Sequence, residues 1–226
     1  MYYNIIYALF YLMKKSQNVE RRIQMFIIGV TGPSGAGKGV LSNILSSLGM
    51  CVIDADQVYH DVITPPSECL CELVREFGIR ILNDDGTLDR KALASIVFGE
   101  NNKDKLLKLN SISHKYVAER INAKIDEYKS DGEEFCVIDA PLLIEAGLHG
   151  ECDLTISVLA DKSLRLERIS ERDGISLDSA AARINSQKDD EFYISNTDCA
   201  LYNNSDAEKM REEVIKLLHE RKCGGL

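Results

Sequence analysis

The chain has no surplus of positive charge. Its 226 residues carry 27 Lys and Arg against 36 Asp and Glu, a net charge of −9. That excludes a broad nucleic-acid surface and leaves room only for a local basic site. There is no CxxC pair. The cysteines number seven, Cys69 and Cys71 are the only close ones, and no His or Cys cluster accompanies them as in a zinc site. Reduced thiols of a cytoplasmic protein are the expectation. There is no apolar run long enough to span a bilayer: Tyr2 to Met13 is too short, and Lys14 and Lys15 follow it where a secretory signal would place its charges first. Internal repeats and low-complexity linkers are absent as well. The length suits one α/β domain with an inserted or appended subdomain, large enough for a substantial core. Residues 1–24 read as a dispensable extension before Met25, with a short interfacial or partner-binding segment as the alternative.

What is present is organised around residues 26–43. The apolar run Phe26 to Val30 leads into Gly32-Pro33-Ser34-Gly35-Ala36-Gly37-Lys38, and helix-compatible sequence follows through Ser47. Strand, glycine-rich turn and helix start make the context of a phosphate-binding P-loop. Glycines let backbone N–H groups turn inward around a polyphosphate, the helix N-terminus adds partial positive charge, and Lys38 reaches the β- and γ-phosphates. Gly32, Ser34, Gly35, Ala36, Gly37, Lys38, Gly39 and Val40 are the expected nucleotide contacts. Gly39 stands where Ser or Thr usually helps hold magnesium. A nucleotide switch protein is disfavoured: Asn102-Lys103-Asp104-Lys105 does not form the Asn-Lys-x-Asp base-reading motif, and no Asp-x-x-Gly occurs.

Further along, Met50 to Ile53 reads as a second strand ending at Asp54-Ala55-Asp56. Ligands of open α/β sheets gather at the carboxyl ends of strands, which favours a catalytic role for at least one of these acids over helix capping. Residues 62–130 read as a helical insert. It contains a helix at 67–77, a turn at 83–86, a helix opened by Asp89, and a long amphipathic helix at 101–129 that carries His114, a residue to which periodicity assigns no role. Glu134 to Asp139 is the third strand, its terminal acid placed like a Walker B carboxylate that orders magnesium through water. Asp153 to Leu159 is the fourth strand and Asp198 to Tyr202 a short fifth. Between them, Arg165, Arg168 and Arg172 fall on one face of a helix, with Arg183 on the next. Charge-rich helix faces are ordinarily just solvated. After a P-loop and four strands, this one reads as an arginine-bearing lid at about 161–187. A final helix runs from about 206 to 221.

From Phe26 to Leu217 the chain resembles the dephospho-CoA kinases. The resemblance rests on the P-loop, Val52-Ile53-Asp54-Ala55-Asp56, Asp85-Gly86-Thr87-Leu88-Asp89-Arg90 with Val97-Phe98, His114, Pro141-Leu142-Leu143-Ile144-Glu145, the lid arginines, Arg183-Ile184 with Gln187, and Asn204, in that order. It implies a P-loop NTPase fold: a five-stranded, mostly parallel sheet flanked by helices, with a nucleotide-binding core at 25–61 and 131–222 and an acceptor-binding insert at 62–130. It implies ATP-dependent phosphorylation of the ribose 3′-hydroxyl of dephospho-CoA, with ATP and Mg²⁺ required, in a cytoplasmic monomer or small homo-oligomer with small-molecule substrates only. By the same resemblance Asp56 is the general base. Asp54 assists through magnesium or by positioning substrate, and Asp139 holds magnesium through water. Lys38, Arg168 and Arg172 contact ATP phosphates, and Asn204 approaches the adenine. Arg90, His114, Leu143 and Arg183 join Asp56 in binding the acceptor. The chain departs from the family pattern at Lys115, where proline is usual, at Ser205, where glycine is usual, and at Gly39-Val40, where neither position offers a hydroxyl. The alternatives are another P-loop nucleotide or nucleoside kinase, or a degenerate nucleotide-binding homologue.

Overall fold

A computed structural model describes residues 25–98 and 102–223, with side chains described through residue 220. The expectation for residues 1–24 lies outside the described residues.

The first strand, β1 (Phe26–Thr31), opens into the glycine-rich loop and helix α1 (Lys38–Ser47). Strand β2 (Cys51–Asp54) runs directly into α2 (Ala55–Val62). Three helices follow: α3 (Glu68–Phe77), α4 (Arg90–Val97) and α5 (Lys103–Ser130). The chain then returns through β3 (Phe135–Asp139) and β4 (Leu154–Leu159) to α6 (Lys162–Asp173), α7 (Leu177–Asn185) and α8 (Asp190–Asn196). It ends with β5 (Cys199–Tyr202) and α9 (Ala207–Cys223). No helix among the described residues is long and apolar enough to cross a membrane.

The five strands form one parallel sheet in the order β2-β3-β1-β4-β5. A parallel sheet is covered on both faces, so its strands read as near-continuous apolar runs, and every residue of β4 is buried. On one face Ile28, Val30, Val137 and Ile156 meet Leu41 and Leu45 of α1 and Met210 and Val214 of α9. On the other, Ile27, Ile53 and Ile138 meet Val58 of α2 and Val117, Ile121 and Ile125 of α5. The stretch between β2 and β3 builds a third core of its own, with Leu73, Phe77, Ile81, Leu93, Val97 and Ile112 at its centre. Its helices start where short polar side chains satisfy their first N–H groups: Ser67 accepts from the Leu70 N–H, and Asp89 from those of Lys91 and Ala92. A small fourth cluster, Ile169, Ala180 and Ile184, joins α6 to α7.

The resulting architecture matches the expected P-loop fold. The short helix α8, opened by Asp189 accepting from the Phe192 N–H, was not foreseen.

Candidate active site

The carboxyl ends of β1, β2 and β3 open into a cleft of about 700 Å³, floored by the glycine-rich loop and walled by Asp54, Asp56 and Asp139 on one side and Arg168, Arg172, Gln187 and Lys188 on the other. The loop turns into α1 through Gly37, whose φ of 103° lies in the left-handed region that glycine tolerates. A Cβ there would also lie 2.0 Å from the Asn203 Nδ2 atom. Helix α1 has no side-chain cap and no acid in its first turn, so its leading N–H groups remain available to an anion.

The loop is gripped from outside. Arg165 donates through Nε to the Ser34 carbonyl at 3.0 Å, Arg168 through Nη1 to the Gly35 carbonyl at 3.3 Å, and Asn203 through Nδ2 to the Ala36 carbonyl at 2.9 Å. The second Arg168 nitrogen donates to the Asn203 carbonyl at 3.0 Å. In a trans peptide the carbonyl and the next N–H point oppositely. Outward-held carbonyls of Ser34 and Ala36 therefore aim the Gly35 and Gly37 N–H groups inward, as a phosphate cradle requires.

Arg165 was expected on the cleft-facing surface of its helix, with Arg168 and Arg172. It is instead only 5% exposed. The helix turns that flank toward the loop, where the guanidinium bonds to Ser34 and Gln187 and lies 3.6 Å from Asp190. Arg172 does line the cleft, held by its neighbour Asp173 at 2.7 and 3.0 Å. Asp173 also pairs with Arg183, and the two guanidiniums hold its carboxyl down to about 2.

Opposite the arginines stands a group of acids. Asp54 and Asp139 end neighbouring strands and are register partners, which places their backbones about 4.8 Å apart. Asp54 accepts the Asp56 and Gln57 N–H groups and so caps α2, which puts Asp56 in the first helical turn, exposed at the edge of the cleft. Burial, with the Asp54 charge, pushes the Asp56 carboxyl above its usual range, and Lys38 opposes this. Burial likewise raises Asp139, which accepts the Ser42 hydroxyl at 2.6 Å. Lys38 donates to the Gly32 carbonyl at 3.2 Å, and its pKa is lowered by burial against the pull of Asp139, Asp56 and Asp54.

These residues make a poor closed metal cage: among the described residues no group of three or more His, Cys, Asp or Glu is placed to hold an ion. They suit Mg²⁺ arriving on a polyphosphate, which keeps most of its waters and asks one or two carboxylates of the protein. At Gly39 a Cβ would have no atom within 4 Å, so the missing hydroxyl leaves open space.

Other expected residues lie elsewhere. The Leu143 side chain is fully buried in the core, because this irregular stretch turns its neighbour Leu142, 52% exposed, into the cleft beside Glu145. Arg90 and His114 do not line the cleft. His114 is half-buried, its pKa lowered by burial and raised by the nearby Glu145 charge. Arg183 is held on α7 by Asp173, and Asn204 exchanges hydrogen bonds with Asp161, so neither lines the cleft. Ser42, Asp173, Gln187, Lys188, Tyr193 and Asn203 all border the cleft or brace its walls, yet none was assigned a role from sequence. Asn203 left one signal, a polar residue ending an apolar strand.

The model of the dephospho-CoA kinase family matches residues 26–209. The chain belongs to the dephospho-CoA kinase family. It is 39% identical to the dephospho-CoA kinase of Carboxydothermus hydrogenoformans over 196 residues, 87% of this chain and 94% of that one. It is 36% identical to the dephospho-CoA kinase of Moorella thermoacetica, over 84% of this chain and 89% of the relative. Among solved structures, a dephospho-CoA kinase from Campylobacter jejuni superposes with a TM-score of 0.62 at 28% identity, covering 88% of this chain and 98% of that one. A shikimate kinase from Bacteroides thetaiotaomicron, 13% identical with a TM-score of 0.51 over 87% of this chain and 99% of its own, shares the fold alone. Within the family, then, the braced loop and the facing acids are the parts of this member that the geometry brings together.

Proposed function

We propose that the protein transfers the γ-phosphoryl group of ATP to the ribose 3′-hydroxyl of dephospho-CoA, giving coenzyme A and ADP. The observation that carries this reading is the placement of Asp56 and Lys38 in one cleft, a carboxylate of raised pKa facing a lysine rooted in the P-loop. In the transfer, the 3′-oxygen forms a bond to the γ-phosphorus while the bond from that phosphorus to the β,γ-bridging oxygen breaks. The hydroxyl proton passes to Asp56, and ADP leaves with the bridging oxygen. A base is most effective when its pKa approaches the working pH, and the upward shift of Asp56 moves it that way.

Lys38 and the inward N–H groups of the loop hold the β- and γ-phosphates. Arg172, oriented by Asp173, offers its charge to the transferring group, and Arg168 keeps the loop in shape while standing beside the same phosphates. Asp54 and Asp139 are the residues that would hold Mg²⁺, through water, and a bound ion would supply charge neutralisation at the β- and γ-phosphate oxygens. On the acceptor side, Leu142 and Glu145 form the near wall. Arg90 and His114, carried on the 62–130 insert, reach the acceptor once it bridges the two regions, and Arg183 joins from the lid. Asn204 lies toward the base of ATP.

The purified protein, given ATP, Mg²⁺ and dephospho-CoA beside a panel of nucleosides and nucleotides, should form coenzyme A and ADP in equal amounts. Faster turnover of a nucleoside acceptor would overturn the acceptor assignment. Bound ATP with no transfer to any acceptor would mark a degenerate member.

A further inference from the structure

Gln187 belongs to one of the motifs that carry the family resemblance, and no step of the transfer uses it. It lies in the link between α7 and α8, with its backbone N–H on the Ile184 carbonyl at 3.2 Å. Its side-chain carbonyl accepts the Ser34 N–H at 3.1 Å and an Arg165 Nη2 proton at 3.2 Å. Both partners are donors, so the orientation of the amide is decided by chemistry: oxygen toward the loop, NH₂ away from it. Arg165 in turn donates to the Ser34 carbonyl at 3.0 Å. Ser34, Arg165 and Gln187 therefore close a ring in which both backbone polar groups of one P-loop residue are held by side chains of the lid.

The geometry points to Gln187 as a positioning residue for nucleotide binding. It fixes the Ser34 peptide and, through Arg165, ties the α7–α8 link to the phosphate cradle. Three features separate this from mere anchoring of the lid. The Ser34 N–H belongs to the phosphate-binding loop, so the side chain that engages it holds the peptide next to the one that aims the Gly35 N–H inward. Arg165 is almost wholly buried and has Asp190 at 3.6 Å as its ion-pair partner, so the Gln187 oxygen is a required acceptor for it. Gln187 also lines the cleft, and its NH₂ group makes no hydrogen bond within the described protein. The side chain thus spans from the loop's outer surface to the space a nucleotide enters.

The inference rests on the kinase reading for its consequence but not for its first measurement. In Gln187→Met, which keeps bulk and loses the acceptor, the Ser34 amide of the ligand-free protein should exchange with solvent about tenfold faster, followed by NMR on ¹⁵N-labelled protein. The same variant should bind ADP about tenfold more weakly, and raise KM for ATP alike, with kcat and KM for dephospho-CoA within about twofold of the parent. Gln187→Glu keeps acceptor oxygens and should keep the Ser34 amide protected, whatever its charge does to nucleotide affinity. That second variant decides the matter even if the first fails to fold. An unchanged Ser34 amide in Gln187→Met, loss of protection in Gln187→Glu, or equal increases in KM for both substrates would each overturn the assignment. Amide exchange and ADP binding need no acceptor, so absence of turnover with dephospho-CoA would count against the proposed reaction and leave this test intact.

Discussion

The two sides of the cleft are built differently. On the P-loop side, the carbonyls of Ser34, Gly35 and Ala36 each accept a hydrogen bond from a side chain of α6 or of the segment after β5. On the side of the insert, α3, α4 and the first half of α5 have a separate core, joined to the sheet's core by the second half of α5 and by shared contacts at Tyr59 and Val62. Arg90 and His114 stand back from the cleft. One half therefore holds its binding geometry before any ligand arrives. The other presents Asp56, Leu142 and Glu145 to the cleft. Preorganisation lowers the ordering cost of binding, and closure on the second substrate keeps water from the transferring group. A P-loop braced in this way should hold ATP at a low ordering cost.

The sharpest way to break that contrast is Asp56→Asn. It should lower kcat by roughly 10²–10⁴-fold, as expected for a lost general base, while KM for ATP moves little; steady-state kinetics read both. An equal loss of ATP binding would place Asp56 with the braced half. Next is Leu73→Ala, in the fully buried centre of the insert. It should cost about 2–5 kcal/mol of local stability, seen as early melting and raised KM for dephospho-CoA, with ADP affinity preserved. If ADP binding falls in parallel, the halves are one cooperative unit. Asn203→Ala tests the other side. Loss of the buried bond to the Ala36 carbonyl should cost about 1–3 kcal/mol, with weaker ADP binding by calorimetry and an unchanged KM for dephospho-CoA. The smallest effect is expected from Gly39→Ser. The space there admits the side chain, and the new hydroxyl should lower the Mg²⁺ concentration for half-maximal rate severalfold. An unchanged requirement would show that Asp54 and Asp139 already suffice.

The fold was legible because its central strands β1, β3 and β4 are largely buried on both faces and so appear as apolar runs. The meeting of the P-loop, Asp54, Asp56 and Asp139 in one cleft was legible because it follows from where strands end. What escaped depended on orientation. Helical spacing puts Arg165, Arg168 and Arg172 on one flank, but only packing shows that the first of them faces inward to the loop. Leu142 and Leu143 are adjacent in a segment without a period, so which of them meets the cleft is decided by the turn. Asn203 and Asn204 pose the same problem. The strand's end sends the former under the P-loop and the latter to Asp161. The seven-residue helix α8 was too short for its pattern to register.

The strand order carries one more consequence. The chain leaves the sheet at the end of β2 and, after α2 to α5, re-enters at β3, its immediate neighbour. Because the two strands are parallel, the chain leaves at the carboxyl edge and re-enters at the amino edge, and α5 makes the return. Lengthening such a loop is cheap, about 0.6 kcal/mol for each doubling, while the ladder alone keeps Asp54 beside Asp139. Helix α2, which carries Asp56, and the part of α5 that packs on the sheet belong to the phosphate-handling apparatus, so it is the helices between them, α3 and α4, that can be enlarged, trimmed or exchanged without disturbing it. A scaffold of this plan can be refitted at α3 and α4 alone, leaving Asp54, Asp56 and Asp139 where they stand.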